Sequence, residues 1–419
     1  MTFTKDNRGV VMFLPFYEPL PMGGSEIQTK RLAKELIKKD INVFIITVGD
    51  YQLSASEVID EIQIFRFVTI SRRIKRFFFT TKSENVSTVK SEVIFDYSDK
   101  QGRDLLYPQP YYGWGKTGWK QLIFFINVLL SAFILLYKKR RNYQIIQINT
   151  VSYFAVIGAI IGKILRKKIL IKDSTMDGVL QMYMMPFPNL ARKFISKNAT
   201  FVAMTGAIQN NYQKAGISLN RIVKIPNGIE IIPLSKIRNY FGYKCLFVGN
   251  LYQQPAKGID ILLKAWENVI AFFPQASLTI VGDGDIAVYQ KYVEKMGLNT
   301  SITFTGKASP RKFYLTHDVF VLPSRREGMS NALMEAMMYG LPVVATDISG
   351  NQDLIDESVG GYLVHPNDVN QLSHGIKIVL QDAEQAIRMG QHNRIKIEQM
   401  CVMENVVNMY MDCYSNIVH

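Results

Sequence analysis

The sequence predicts an α/β protein of two doubly wound parallel-sheet domains facing a cleft. Three observations carry this. The chain opens on a buried strand, a loop, an amphipathic helix and a second buried strand, and the same pattern starts again near residue 243. Buried strands then recur at intervals of roughly 20 to 30 residues, separated by helical stretches. With 419 residues, 48% of them hydrophobic and 20% charged, the chain is long enough for two cores.

In chain order, GVVMFLP (9–15) reads as a strand, FYEPLPMGG as a loop, SEIQTKRLAKELIKK (25–39) as an amphipathic helix and INVFIITV (41–48) as the next strand. Ser25 and Gln28 have capping-box spacing, which puts Gly23 and Gly24 at the helix N-terminus. LIFFINVLLSAFILLY (122–137) is almost wholly apolar and runs into Lys138, Lys139, Arg140 and Arg141. It is shorter than the ~20 residues that span a bilayer as a helix. It reads either as a core helix of the first domain or as a helix half-sunk in a membrane interface. SRRIKRFFFT (71–80) sets four cations beside three phenylalanines, which suits an anionic lipid surface or a solvated basic loop. PNGIEIIPLSK (226–236) is the expected linker. YKCLFVGN (243–250) then leads through LYQQPAKG to a helix near Ile259, and SLTIVGDG, ITFTG, DVFVLPS and LPVVATD supply further strands. The expected units are a first domain over 1–235, a second over 236–400, and a helix over 401–419 that is available to pack back on the first domain.

The net charge of +14 is unevenly spread. Residues 1–240 carry 35 Lys/Arg against 17 Asp/Glu, whereas 241–419 carry 14 against 18. The basic half therefore faces an anionic partner, nucleic acid or membrane. No groove-reading or base-stacking module accompanies the charge, so nucleic acid is not expected. Cys245, Cys401 and Cys413 are odd in number and unpatterned, which indicates neither a disulfide framework nor a zinc site. The start, MTFTKDNRGVVMFLP, has only about seven apolar residues before the chain turns, too few for a secretory signal.

The chemistry concentrates in RREGMSNALMEAM (325–337). Glu335 sits mid-helix among Leu333, Met334, Ala336 and Met337, so its carboxylate needs partners. A structural salt bridge is the simpler reading. Glu327 stands in the turn after the strand DVFVLPS, at the carboxyl edge of the sheet, where open α/β sheets bind ligands. The amides of Gly328, Met329, Ser330 and Asn331 form the helix N-terminus, a natural anion site. Carboxylates accept well from vicinal hydroxyls while amides take phosphates, so the pattern suits a ligand that joins a diphosphate to hydroxyl-rich groups. Asp283-Gly284-Asp285 reads as a strand followed by a glycine turn and not as a metal site.

On these residues the chain resembles the retaining glycosyltransferases of family 4, which have the GT-B fold of two facing Rossmann-like domains. The resemblance rests on EGMSNALME with its Glu-x7-Glu spacing, on GLPVVAT after it, on GGSE in the first loop, on PNGIE at the linker and on GNL…KG opening the second domain. It implies that Glu327 lies by the donor sugar's hydroxyls and that Glu335 holds the ribose hydroxyls of a sugar nucleotide. Gly23 and Gly24 would admit the β-phosphate and Lys257 would meet the diphosphate as a cation. Relatives commonly have Arg where this chain has Asn250, and Arg325 or Arg326 would supply the missing charge. Many also have His after the strand KKILIK, where Asp173 stands here as the expected catalytic replacement, and another His at Asn149. The implied reaction moves a sugar, with retention, from a nucleotide sugar (a UDP-sugar in the first place) to a glycan or lipid-linked oligosaccharide in lipopolysaccharide or capsule synthesis. The leaving diphosphate would take the acceptor's proton, with no metal or other cofactor. The rival implications are an epimerase or hydrolase of the same fold, or an inactive binding subunit of a polysaccharide assembly complex. The expected location is cytoplasmic, peripheral on the inner face of the membrane.

Overall fold

The computed structural model describes residues 9–18, 23–49, 53–67, 118–173, 187–233, 242–251 and 255–418. The 71–80 stretch, read as a lipid-facing segment or a solvated basic loop, lies outside them. Two sheets organise the chain, as the repeated pattern predicts. The first has the order β3-β4-β2-β1-β5-β6-β7-β8, with β1 Gly9–Leu14, β2 Asn42–Val48, β3 Ser56–Ile59, β4 Ile62–Phe67, β5 Ile145–Ile148, β6 Lys168–Lys172, β7 Thr200–Ala203 and β8 Ile222–Lys224. All its pairings are parallel except the β3–β4 hairpin at the edge. The second sheet is parallel throughout, in the order β11-β10-β9-β12-β13-β14. Its strands are β9 Lys244–Val248, β10 Ser277–Val281, β11 Ile302–Gly306, β12 Val319–Leu322, β13 Val343–Thr346 and β14 Gly361–Val364. Strand order reverses beside β1 in one domain and beside β9 in the other, and ligands of such sheets bind at the carboxyl ends next to these points.

Helices cover both faces of the sheets, so the central strands read as unbroken apolar runs. Val10 to Leu14 of β1 are wholly buried, each such apolar side chain contributing about 1.5–3 kcal/mol. In the first domain α1 (Gly24–Lys38) follows β1, α2 (Gly118–Lys138) precedes β5, and α3 (Tyr153–Ile164), α4 (Pro188–Asn198) and α5 (Gly206–Lys214) follow. The second domain has α6 (Ile259–Phe272), α7 (Ile286–Lys295), α8 (Arg311–Thr316), α9 (Asn331–Met338), α10 (Ser349–Gln352), α11 (Val369–Gln381) and α12 (Ala383–Met400). The apolar 122–137 segment forms most of α2. Val128, Ala132 and Leu136 enter the core, while Ile123, Phe124, Ile126, Leu130, Ile134 and Tyr137 stay exposed on the helix. Among the described residues no helix is long and apolar enough to cross a membrane.

The chain passes between the domains twice. Ile229 pairs with the 401–403 segment, its amide donating to the Cys401 carbonyl at 2.8 Å and its carbonyl accepting from Met403 N at 2.9 Å. After this crossing α13 (Met403–Val418) packs on α1, and its Val406, Val407, Tyr410 and Tyr414 share a core with Val10, Met12 and Leu14 of β1.

Candidate functional site

The first half of the 325–337 stretch is positioned by backbone contacts that only small residues permit. Gly258 has φ +64, and a Cβ there would stand 2.0 Å from the Pro323 carbonyl oxygen. That close approach brings the turn carrying Lys257 against the loop that leaves β12. The Arg325 amide donates to the Ala256 carbonyl at 2.8 Å and closes the same contact. On the other side Gly350 lies against the loop, where a Cβ would meet the Gly328 carbonyl at 2.2 Å.

Within this frame Lys257 Nζ lies 2.6 Å from Glu327 Oε1, which also accepts from Ser324 Oγ at 2.8 Å. The cation assigned to a diphosphate and the carboxylate assigned to a sugar are thus neighbours. Arg325 is committed elsewhere. Its guanidinium makes a two-pronged contact with Asp260 at 2.9 and 2.7 Å. Asn250 itself is exposed beyond the end of β9.

Glu335 is half-buried on α9. Its Oε1 pairs with Arg31 Nη2 of α1 at 2.7 Å, and its Oε2 accepts from the Tyr314 hydroxyl at 3.3 Å. Burial and the adjacent Glu335 charge push the Tyr314 hydroxyl well above its ordinary pKa, so it serves as a neutral donor. Glu335 thus has a charged partner, and it lies in the opposite domain.

Ser330 caps α9, its hydroxyl accepting from Leu333 N at 3.4 Å. Asn331 and Met329 face the first domain. Asn331 Nδ2 donates to the Gly24 carbonyl at 3.2 Å, its Oδ1 accepts from Gln28 Nε2 at 2.9 Å, and the Met329 carbonyl accepts from Asn227 Nδ2 at 3.2 Å. Gln28 also exchanges two bonds with the Gly228 backbone, at 2.9 and 3.0 Å. The N-terminus of α1, the linker and the N-terminus of α9 thus form one hydrogen-bonded junction.

The cap of α1 differs from the expectation. Gly23 is the N-cap and Glu26 returns to its amide at 2.9 Å, while Gln28 crosses to the linker. Ser25 and Gln28 have capping-box spacing, but the N-cap lies two residues earlier, so that register belongs to Gly23 and Glu26. Desolvation raises the Glu26 carboxyl above its ordinary pKa.

Asp173 follows β6 at the carboxyl edge, as expected, but is only 3% exposed. Asn149 is likewise enclosed, donating to Thr29 Oγ1 at 2.5 Å and accepting from Gln147 Nε2 at 2.9 Å. Beside Asp173, the buried Lys172 ammonium donates to Asn227 Oδ1 at 2.9 Å, and desolvation lowers its pKa to about 7. Among the described residues no three His, Cys, Asp or Glu side chains are grouped so as to hold a metal ion.

Residues 242–382 match the family of glycosyl transferases group 1. An uncharacterized glycosyltransferase of Haemophilus influenzae is 28% identical over 200 residues, 47% of this chain and 56% of that protein. A phosphatidyl-myo-inositol mannosyltransferase of Mycobacterium leprae is 32% identical over 169 residues, 38% and 44% of the two chains. The chain spans about half the length of the curated relatives that it matches. Among solved structures, Anabaena HepE in complex with UDP and glucose is similar across 98% of this chain and 100% of its own, with a TM-score of 0.69 and 18% identity. At that identity the likeness is one of fold, and the fold is GT-B.

Proposed function

We propose that this protein is a retaining glycosyltransferase of the family 4 type that uses a nucleotide sugar, a UDP-sugar first, and extends a glycan or lipid-linked oligosaccharide. One observation carries the reading. Two carboxylates eight residues apart stand at the cleft edge of the second sheet, one beside a lysine and the other bridged to the opposite domain. Glu327 suits sugar hydroxyls, Lys257 the diphosphate and Glu335 the ribose, with the first turn of α9 and the Gly23–Gly24 turn on either side of the phosphates. The UDP and glucose in HepE support the choice of donor.

In the proposed step the bond from the anomeric carbon to the phosphate oxygen breaks, and a bond to the acceptor hydroxyl oxygen forms on the same face. The acceptor's proton passes to the departing phosphate, which leaves as the nucleoside diphosphate. No protein base is required. The protein's task is to stabilise the leaving charge with Lys257 and helix-end amides. No divalent cation enters. The test is a panel of nucleotide sugars, scored for binding and for transfer to lipid-extracted oligosaccharide acceptors. Binding followed only by hydrolysis or epimerisation would replace the reading, and binding without turnover would leave a non-catalytic subunit.

The acceptor is proposed to be lipid-linked, with the enzyme on an anionic cytoplasmic membrane surface, in surface polysaccharide synthesis. The exposed apolar residues of α2 end at Lys138, Arg140 and Arg141, and Arg140 lies over the Tyr137 ring at 4.0 Å. Cations near anionic lipid contribute about 1 kcal/mol each, and a partly sunken apolar face adds to that. The phosphatidylinositol substrate in the name of the M. leprae relative accords with a lipid acceptor. Replacing Lys138, Arg140 and Arg141 by Ser should cut sedimentation with phosphatidylglycerol vesicles about 100-fold in partition coefficient. Equal sedimentation of variant and wild type would reject this surface.

A further inference from the structure

We infer that Arg31, in the first domain, is a positioning residue for the ribose-binding carboxylate Glu335 of the second. The inference rests on the donor reading above. Glu335 is held from two sides, by Arg31 Nη2 at 2.7 Å on one oxygen and by the Tyr314 hydroxyl at 3.3 Å on the other. A carboxylate has about four acceptor positions, so two remain for the vicinal hydroxyls of a ribose. The two protein partners fix the plane in which those positions point.

Arg31 is itself held in register. Three residues earlier on the same face of α1, Gln28 bonds to Gly228 and to Asn331, the first residue of α9. The Arg31 guanidinium also keeps one buried nitrogen, Nη1, without a hydrogen-bond partner. An orphaned donor is a standing cost that a stability-selected salt bridge would avoid, and it leaves this arginine one bond short beside the carboxylate assigned to ribose. A second bridge between the domains serves as a control. Lys224 Nζ lies 3.1 Å from Asp353 Oδ2, which also accepts from the Gly206 amide at 2.8 Å, and neither group belongs to the donor site.

The test is calorimetry with UDP, GDP and ADP, each paired with its 2′,3′-dideoxy counterpart, on wild type, Arg31→Ala, Arg31→Gln and Asp353→Asn. Arg31→Gln keeps a polar side chain of intermediate length without the charge and guards against misfolding of the alanine variant. Wild type should prefer the ribose form of the nucleotide that it binds best. Both Arg31 variants should bind that form about 10-fold more weakly and the dideoxy form unchanged, as expected for loss of a charge-assisted contact that is partly exposed. Asp353→Asn should keep the wild-type preference even if both affinities fall. Equal loss for both nucleotides in the Arg31 variants would make the pair a closure contact only and overturn the inference. No change in either would overturn it too. Failure of wild type to bind any of the nucleotides would instead bring down the donor reading, and this inference with it.

Discussion

Glu327 and Glu335 are eight residues apart, yet they are held in opposite ways. Glu327, in the loop after β12, takes both of its partners, Lys257 and Ser324, from its own domain. Glu335, on the helix that the loop begins, takes its strongest partner from the other domain. The first carboxylate is set by the fold of one sheet and keeps its geometry whatever the cleft does. The second depends on where α1 stands. One short motif thus combines a fixed group for the reacting sugar with a group sensitive to closure for the nucleotide.

The most forceful way to break this contrast is to remove each carboxylate in turn. Glu327→Gln should lower kcat about 10²- to 10³-fold while the affinity for the free nucleoside diphosphate stays within about threefold, since its proposed partner is the reacting sugar. Glu335→Ala should weaken that affinity about 10-fold and reduce kcat at saturating donor much less. Calorimetry and steady-state kinetics on the two variants decide it, and matching losses would abolish the division of labour.

A smaller effect sharpens the role of the junction between the domains. The Lys172 pKa is depressed by burial to about 7, so above that pH the unfolded chain binds a proton that the folded one lacks. The contribution of this group to stability should therefore rise as pH increases from about 7 toward the ordinary lysine pKa, by at most about 1.4 kcal/mol per pH unit. Denaturation of wild type and Lys172→Met between pH 7 and 9.5 should show that slope in the first and its loss in the second. Identical slopes would mean that Lys172 keeps an ordinary pKa. The smallest expected effect is none at all. Chelation by EDTA should leave transfer unchanged, because Lys257 and helix-end amides supply the positive field, and rescue of a lost activity by magnesium or manganese would contradict this.

How far the sequence foretold these features depends on the distance over which each is decided. The βαβ units, the second sheet and the cleft position of Glu327 were legible because periodicity and turn chemistry are local. The partner of Glu335 was not. Arg31 sits on an amphipathic helix where a charge reads as solvated, and the residue that it meets lies 304 positions away. Gln28 was read as a cap because its spacing from Ser25 fits one, yet the helix begins at Gly24 and frees the amide to cross to Gly228. Arg325 looked available for phosphate, since nothing nearby in the chain reveals that Asp260 holds it. The edge position of Asp173 could be read from its strand, whereas its burial depends on packing that no local pattern encodes.

The second crossing between the domains has a consequence for how the protein is made. Val406, Val407, Tyr410 and Tyr414 complete the core around β1, although β1 is translated before the second domain and α13 after it. During synthesis the second domain can close on itself, while the older domain waits with the apolar side of β1 and α1 uncovered. A stop codon after residue 402 would thus injure the domain at the far end of the message and spare the one just translated, and the exposed face of α1 is where a nascent-chain chaperone would be expected to hold on.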